Sequence, residues 1–228
     1  MNRKFALGIA ALMLTLPSAA FAADMPRKGL PPIVPLYNWT GFYVGANVGY
    51  GWASGSGTIT RGAASGPVSG SGNGISGGAQ AGYNYQIGSV VLGVEGDFQV
   101  SGQKGNFDGS AGAYSFTSTA TVPWFATARG RVGYAFDRWM VYATGGGVYG
   151  DSKIKGTASI GGPFETSKQF FTYTFGGGVE AALWGRWTAK VEYLYIATPN
   201  HVPVPPGTTD ISGHITSNLV RAGLNYRF

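Results

Sequence analysis

The sequence contains no cysteine, which excludes a disulfide framework, a thiol nucleophile and a thiolate metal site. A Cys-free chain also suits a protein that crosses an oxidising compartment unfolded, where wrong disulfides would trap it. Charge is scarce. Asp, Glu, Lys and Arg make up 11% of the 228 residues, against about 25% in ordinary soluble domains. The basic residues that produce the formal net charge of +6 are scattered, so there is no Lys/Arg stripe and no footprint for nucleic acid. Long hydrophobic runs are missing too. Hydrophobic residues reach 44%, yet beyond the N-terminus none gathers into the roughly 20-residue stretch a membrane helix needs. What abounds is glycine, 39 residues, and aromatics at 14%. Two classes fit such a composition: a low-complexity fibrous protein, or a membrane barrel whose apolar residues are spread over alternating strands.

The first 22 residues have the order of a secretory signal peptide. Arg3 and Lys4 supply the positive region, Phe5 to Leu16 the apolar region, and Ala20-Phe21-Ala22 the small-residue cleavage site. The apolar region is too short for a membrane anchor. Cleavage would start the mature chain at Ala23-Asp24. Residues 23–38 carry Pro26, Pro31, Pro32 and Pro35. Proline fixes φ and lacks an amide donor, so this stretch is expected to be an extended periplasmic linker.

From residue 39 to 228 the sequence alternates with a period of two, which places successive side chains on opposite faces of a strand. Phe42, Val44, Ala46, Val48, Tyr50 and Trp52 share one face; Gly45, Asn47, Gly49 and Gly51 share the other. Seven further segments alternate likewise. Ile75 to Tyr85 oppose Ser76, Gln80 and Asn84. Val90 to Val100 oppose Glu95, Asp97 and Gln99. Val122, Trp124, Ala126, Ala128, Val132 and Tyr134 oppose Thr127, Arg129 and Arg131. Val141, Ala143 and Tyr149 oppose Tyr142 and Thr144. Phe171 to Leu183 oppose Thr172, Thr174 and Glu180. Trp187 to Tyr195 oppose Thr188, Lys190 and Glu192. Val220 to Phe228 oppose Arg221, Asn225 and Arg227.

Short turns at Gly88, Asp137 and Gly185 alternate with long Gly/Ser/Thr-rich links at 53–73, 101–120, 151–168 and 198–217. A soluble β-sandwich shows the same alternation with its apolar face inward. Here the apolar face ends in aromatics (Trp52, Tyr85, Tyr134, Trp187, Tyr195 and Tyr226), as membrane-interface girdles require, and the opposite face is too poor in charge for a solvated surface. The expected fold is therefore all-β: an eight-stranded antiparallel transmembrane barrel with short periplasmic turns, long extracellular loops and both termini in the periplasm.

Eight strands enclose a lumen just wide enough for side chains to fill. The inward face carries the acids Glu95, Asp97, Glu180 and Glu192 and the bases Arg129, Arg131, Lys190, Arg221 and Arg227. Unpaired charges in so narrow a space are costly. These nine residues are expected to form a network that plugs the lumen, with Glu95 and Asp97 paired to Arg129 and Arg131 of the next strand. A gated ion path is the alternative use of the same residues.

The segment Trp39-Thr40-Gly41-Phe42-Tyr43-Val44-Gly45 after a Pro-rich linker, the strand Tyr142-Ala143-Thr144-Gly145-Gly146, and the ending Val220-Arg221-Ala222-Gly223-Leu224-Asn225-Tyr226-Arg227-Phe228 resemble the RopB-type small outer-membrane proteins of alphaproteobacteria, relatives in architecture of the OmpA and OmpX barrels. The resemblance spans nearly the whole chain. It implies a surface protein of the cell outer membrane, seated among outer-membrane lipid and lipopolysaccharide, that supports envelope integrity. It implies insertion by the barrel-assembly machinery, with the aromatic end at Tyr226 and Phe228 as the signal. Some relatives are joined to peptidoglycan through a mature Ala-Asp terminus, and Ala23-Asp24 has that form. Others bind haemin, for which no shared motif can be placed here. Unlike OmpA, the sequence shows no folded domain after the barrel.

Recognisable catalytic chemistry is absent. Gly72-Asn73-Gly74-Ile75-Ser76-Gly77 has dinucleotide-fingerprint spacing but no helix signal after it. The glycine runs at 145–147 and 176–178 lack the Lys-Ser/Thr of a phosphate loop. His201 and His214 fall in the last long link, where they lack the fixed geometry of metal or haem ligands. His214 with Thr216 and Asp210 only faintly echoes a lipid-modifying rim site. The expectation is a non-enzymatic structural barrel without cofactor or metal. A narrow porin-like channel and a surface receptor for haemin or a host ligand stand as alternatives.

Overall fold

The computed structural model describes residues 37–197 and 210–228. The expected signal peptide, most of the linker, Ala23, Asp24 and His201 lie outside these residues. Eight strands follow in chain order: β1 (Gly41–Arg61), β2 (Ala64–Ile87), β3 (Val90–Ala111), β4 (Tyr114–Phe136), β5 (Trp139–Ala158), β6 (Gly162–Ala182), β7 (Trp187–Ala197) and β8 (Asp210–Arg227). Each pairs antiparallel with the next, and β8 returns to β1, so the sheet closes on itself. Closure leaves no edge strand, the condition for a sheet to cross a bilayer with every backbone group paired.

The face opposite the charged residues looks outward. Phe42, Val48, Val94, Val100, Phe171, Tyr173 and Val191 are each more than half exposed, which for side chains of this kind means contact with lipid. On β1 the apolar band runs from Phe42 to Trp52, about 33 Å along the strand. At the usual tilt that is a height of roughly 25 Å, the hydrocarbon band of an outer membrane. Aromatic pairs border it. Tyr134–Phe136, Trp187–Tyr226 and Tyr226–Phe228 lie at the end with the short turns, and Tyr50–Trp52, Phe98–Trp124 and Trp124–Tyr149 at the other.

The long links depart from expectation. Those at 53–73, 101–120 and 151–168 are not irregular loops: β1 to β6 run on as ladders of 20 to 24 residues, closed by tight turns at 62–63, 112–113 and 159–161. A barrel strand needs only about 9–11 residues to span the bilayer, so roughly half of each hairpin stands beyond it. The alternation continues there with reversed polarity. Ser54, Ser56 and Thr58 of β1 and Thr117, Thr119 and Thr121 of β4 face out, while Ile59, Phe116 and Ala120 face in. Outward polar groups meet water, so the ladders need no lipid.

A second difference concerns Val122, expected on the outward face with Trp124. The register slips between Val100 and Gln103 of β3 and between Thr121 and Trp124 of β4. Pro123 lies in that bulge, where its missing amide breaks no ladder bond. The extra residue inverts the parity of β4, and Val122 packs inward against Phe125, Val148, Leu194 and Leu219.

Candidate functional site

The inward residues at membrane depth form one connected polar layer. At this depth Glu95, Asp97, Arg129, Arg131, Glu180, Lys190, Glu192 and Arg221 are all almost fully buried, so each must find partners within the lumen. Glu95 of β3 is central. Arg129 of β4 approaches one carboxylate oxygen at 2.5 Å, Lys190 of β7 lies 2.7 Å from the other, and Arg221 of β8 lies at 3.4 Å. Asp97, one inward position further along, holds Arg129 at 3.0 Å and Arg221 at 3.1 Å, and accepts a bond from Thr127. Glu192 holds Arg129 at 3.0 Å and Arg221 at 2.7 Å. Glu180 of β6 holds Arg131 at 2.6 Å and accepts bonds from Thr188 and Asn225.

Four carboxylates thus face four cations, and the layer is electrically neutral. The pairs cross the lumen as well as the sheet. Arg221 to Asp97 joins β8 to β3, and Arg129 to Glu192 joins β4 to β7. Glu95 and Asp97 do contact Arg129; Arg131 lies 3.6 Å from Glu95 but is held more closely by Glu180.

Arg227, expected as a ninth member, stands apart. It is the last residue of β8, at the periplasmic end, and bonds the carbonyls of Asn38 and Thr40 at 2.9 and 3.1 Å while lying over the rings of Tyr37 and Trp39. Carbonyls and ring faces hold its terminal nitrogens, and among the described residues it makes no ion pair.

Two tyrosines complete the layer. Tyr142 was expected inward by alternation; Tyr43 was not singled out, although it shares the parity of Asn47. The Tyr43 hydroxyl donates to Glu95 at 2.8 Å and accepts from Arg131. The Tyr142 hydroxyl donates to Glu192 at 3.0 Å, and Arg131 lies over its ring at 4.2 Å. Each ring leans over the glycine directly opposite it on the next strand, Gly82 for Tyr43 and Gly178 for Tyr142. A Cβ at either glycine would collide with the tyrosine hydroxyl. The open space beside a glycine is what lets an aromatic ring lie flat within so narrow a lumen. From β2, Gln80 bridges Asn47 of β1 and Asn225 of β8, so all eight strands contribute to the layer.

Apolar side chains close it on both sides. Trp39, Val91, Ala135, Met140 and Tyr142 pack together at the periplasmic end. The Trp39 indole donates to the carbonyl of Asp137 at 3.0 Å, and the Asp137 carboxylate accepts the amide of Tyr37 at 2.9 Å. Asp137 has φ of 56°, a conformation Asp tolerates better than most residues. Above the charges, Phe125, Val148, Leu194 and Leu219 form a second buried cluster.

The remaining candidates do not converge on this layer. Tyr226 and Phe228 face outward at the periplasmic rim, where the Phe228 amide bonds the carbonyl of Phe42 at 2.9 Å. His214 is exposed on β8, opposite Ser56 of β1. The glycines at 72–77 lie inside β2 with no helix after them.

The geometry has relatives. Residues 8–228 match the model of the outer membrane protein beta-barrel domain. The 31 kDa outer-membrane immunogenic protein of Brucella melitensis biotype 1 is 34% identical over 96% of this chain and 98% of its own length. The 22 kDa outer membrane protein of Rhizobium leguminosarum bv. viciae is 34% identical over 72% of this chain and 66% of its own. Among solved structures, Neisserial surface protein A aligns over 83% of this chain and 98% of its own at 16% identity, with a TM-score of 0.42. A closed ring of strands with a lipid-facing exterior and a match across nearly the whole sequence place this chain in the outer-membrane β-barrel protein family, in the cell outer membrane.

Proposed function

We propose that this protein is a structural strut of the outer membrane with a closed lumen, rather than a channel. One observation carries the proposal: four carboxylates and four cations neutralise one another across the lumen between two apolar clusters. An ion entering would have to displace partners already held by several charge-assisted bonds. In planar bilayers the purified protein is expected to give no discrete conductance steps. A steady open level from the unmodified chain would favour the narrow-pore alternative.

We further propose that the strut is tied to the cell wall through Ala23-Asp24. Two features support this. The pair has the form of an attachment terminus, and the described chain enters the barrel at the periplasmic rim, where Tyr37 and Trp39 dock on Asp137. Digested sacculi should yield a muropeptide joined to the Ala23-Asp24 peptide by mass spectrometry. Sacculi without it, and a free Ala23 in outer membranes, would leave a barrel without an anchor.

A further inference from the structure

Above the membrane the inside of the barrel changes character. The large inward residues of the projecting ladders include Phe107, Phe116, Val122, Ile154, Phe164 and Phe170, with smaller polar groups such as Ser118, Ser152 and Thr166 between them, and they surround a cavity of about 650 Å³. The cluster of Phe125, Val148, Leu194 and Leu219 separates its floor from the charged layer. At its outer end Ile59, Ala111, Tyr114 and Ala158 pack together near the hairpin tips. Sites for small molecules are commonly concave, mostly apolar and of about 300–1,000 Å³, and cavities lined by apolar side chains take apolar guests in preference to water.

Stability of the ladders alone does not call for this design. Paired strands standing in water could be polar on both faces. Here each ladder directs its large apolar groups to one shared, partly open space. The charged residues of the wall are Lys104 and Lys168, with no carboxylate among the described lining residues; Lys168 lies on the inward face opposite Ser152, whereas Lys104 shares the outward face of Thr121.

We propose that this cavity binds the chain of a single-chain carboxylate amphiphile of the fatty-acid class. The carboxylate is drawn to Lys168, one inward position above Phe170, and the alkyl tail runs from there toward the hairpin tips among Phe107, Phe116 and Phe164. The site is distinct from the lumen layer and is a dead end, because Phe125, Val148, Leu194 and Leu219 close it below. The activity is capture at the cell surface, not conduction, and it stands independently of the strut proposal.

The test is photo-labelling of the full protein in phospholipid nanodiscs with dodecanoate carrying a diazirine at its methyl end. Labelled residues are mapped by peptide mass spectrometry. Label is expected on inward residues such as Phe107, Phe116 and Phe164, saturable and competed by plain dodecanoate. Filling the cavity with Ala120→Trp should reduce it by about tenfold or more. Ser118→Trp serves the same purpose if Ala120→Trp loses the heat-dependent gel shift of a folded barrel, and competition in the unmodified chain decides if both do. Label confined to lipid-facing residues such as Val94 and Phe98, or undiminished in a folded filled variant, overturns the site. Equal competition by dodecyltrimethylammonium overturns its choice of a carboxylate.

Discussion

Replacing Arg129 with Met is expected to destabilise the barrel by about 3–5 kcal/mol, the usual cost of removing one partner from a buried ion pair. Arg129 lies within 3.0 Å of Glu95, Asp97 and Glu192, and its side chain is fully buried. Met fills much of the same volume, so the loss would be electrostatic rather than a cavity. Arg221 and Lys190 reach the same carboxylates but already have partners of their own. Urea unfolding from phospholipid vesicles, followed by Trp fluorescence, measures the change. Adding Glu192→Gln restores neutrality and should recover part of the loss. A positive coupling in that double-mutant cycle would locate the effect in the pair. A single substitution costing under about 1 kcal/mol would mean that the remaining cations suffice, and the neutral layer would no longer explain a closed lumen.

Val94→Arg should cost about 2–4 kcal/mol, because Val94 is 63% exposed midway along the apolar band of β3, where an outward charge meets hydrocarbon. Thr117→Arg is an equally outward change on β4, beyond the outer aromatic pairs, and should fall within about 0.5 kcal/mol of zero. The contrast locates the membrane boundary near Trp52, Trp124 and Tyr149. The same vesicle unfolding experiment reads both. Equal costs would put the upper ladders in lipid and move the Phe116–Phe170 cavity into the bilayer.

Much of this architecture is legible because a barrel strand has two faces in different solvents. Lipid outside and a packed lumen inside impose a strict period of two, which marked Phe42 to Trp52 and Val90 to Val100 as outward and Glu95, Asp97, Arg129 and Glu192 as inward. The projecting ladders were misjudged for the same reason. Above Trp52 the outer face meets water, so Ser54, Ser56 and Thr58 replaced the apolar signal, and glycine-rich composition passed for loop. The alternation persists there, but the apolar residues are on the opposite parity. Val122 escaped a parity argument because Pro123 sits in a bulge, and a period cannot show where an extra residue is inserted.

From local pattern alone come the strand count, the short turns, the outward and inward faces within the membrane, and the inward charges. These depend on neighbours along the chain and on the solvent each face must meet. Which charges pair was decided only by closure. Asp97 and Arg221 are 124 residues apart, and their contact arises because the ring of strands brings β3 opposite β8. The separation of Arg227 from that layer, the leaning of Tyr43 and Tyr142 over glycines on the adjoining strands, and the cavity above the membrane likewise follow from how side chains fill one shared interior. That is a property of the closed barrel and of no single strand.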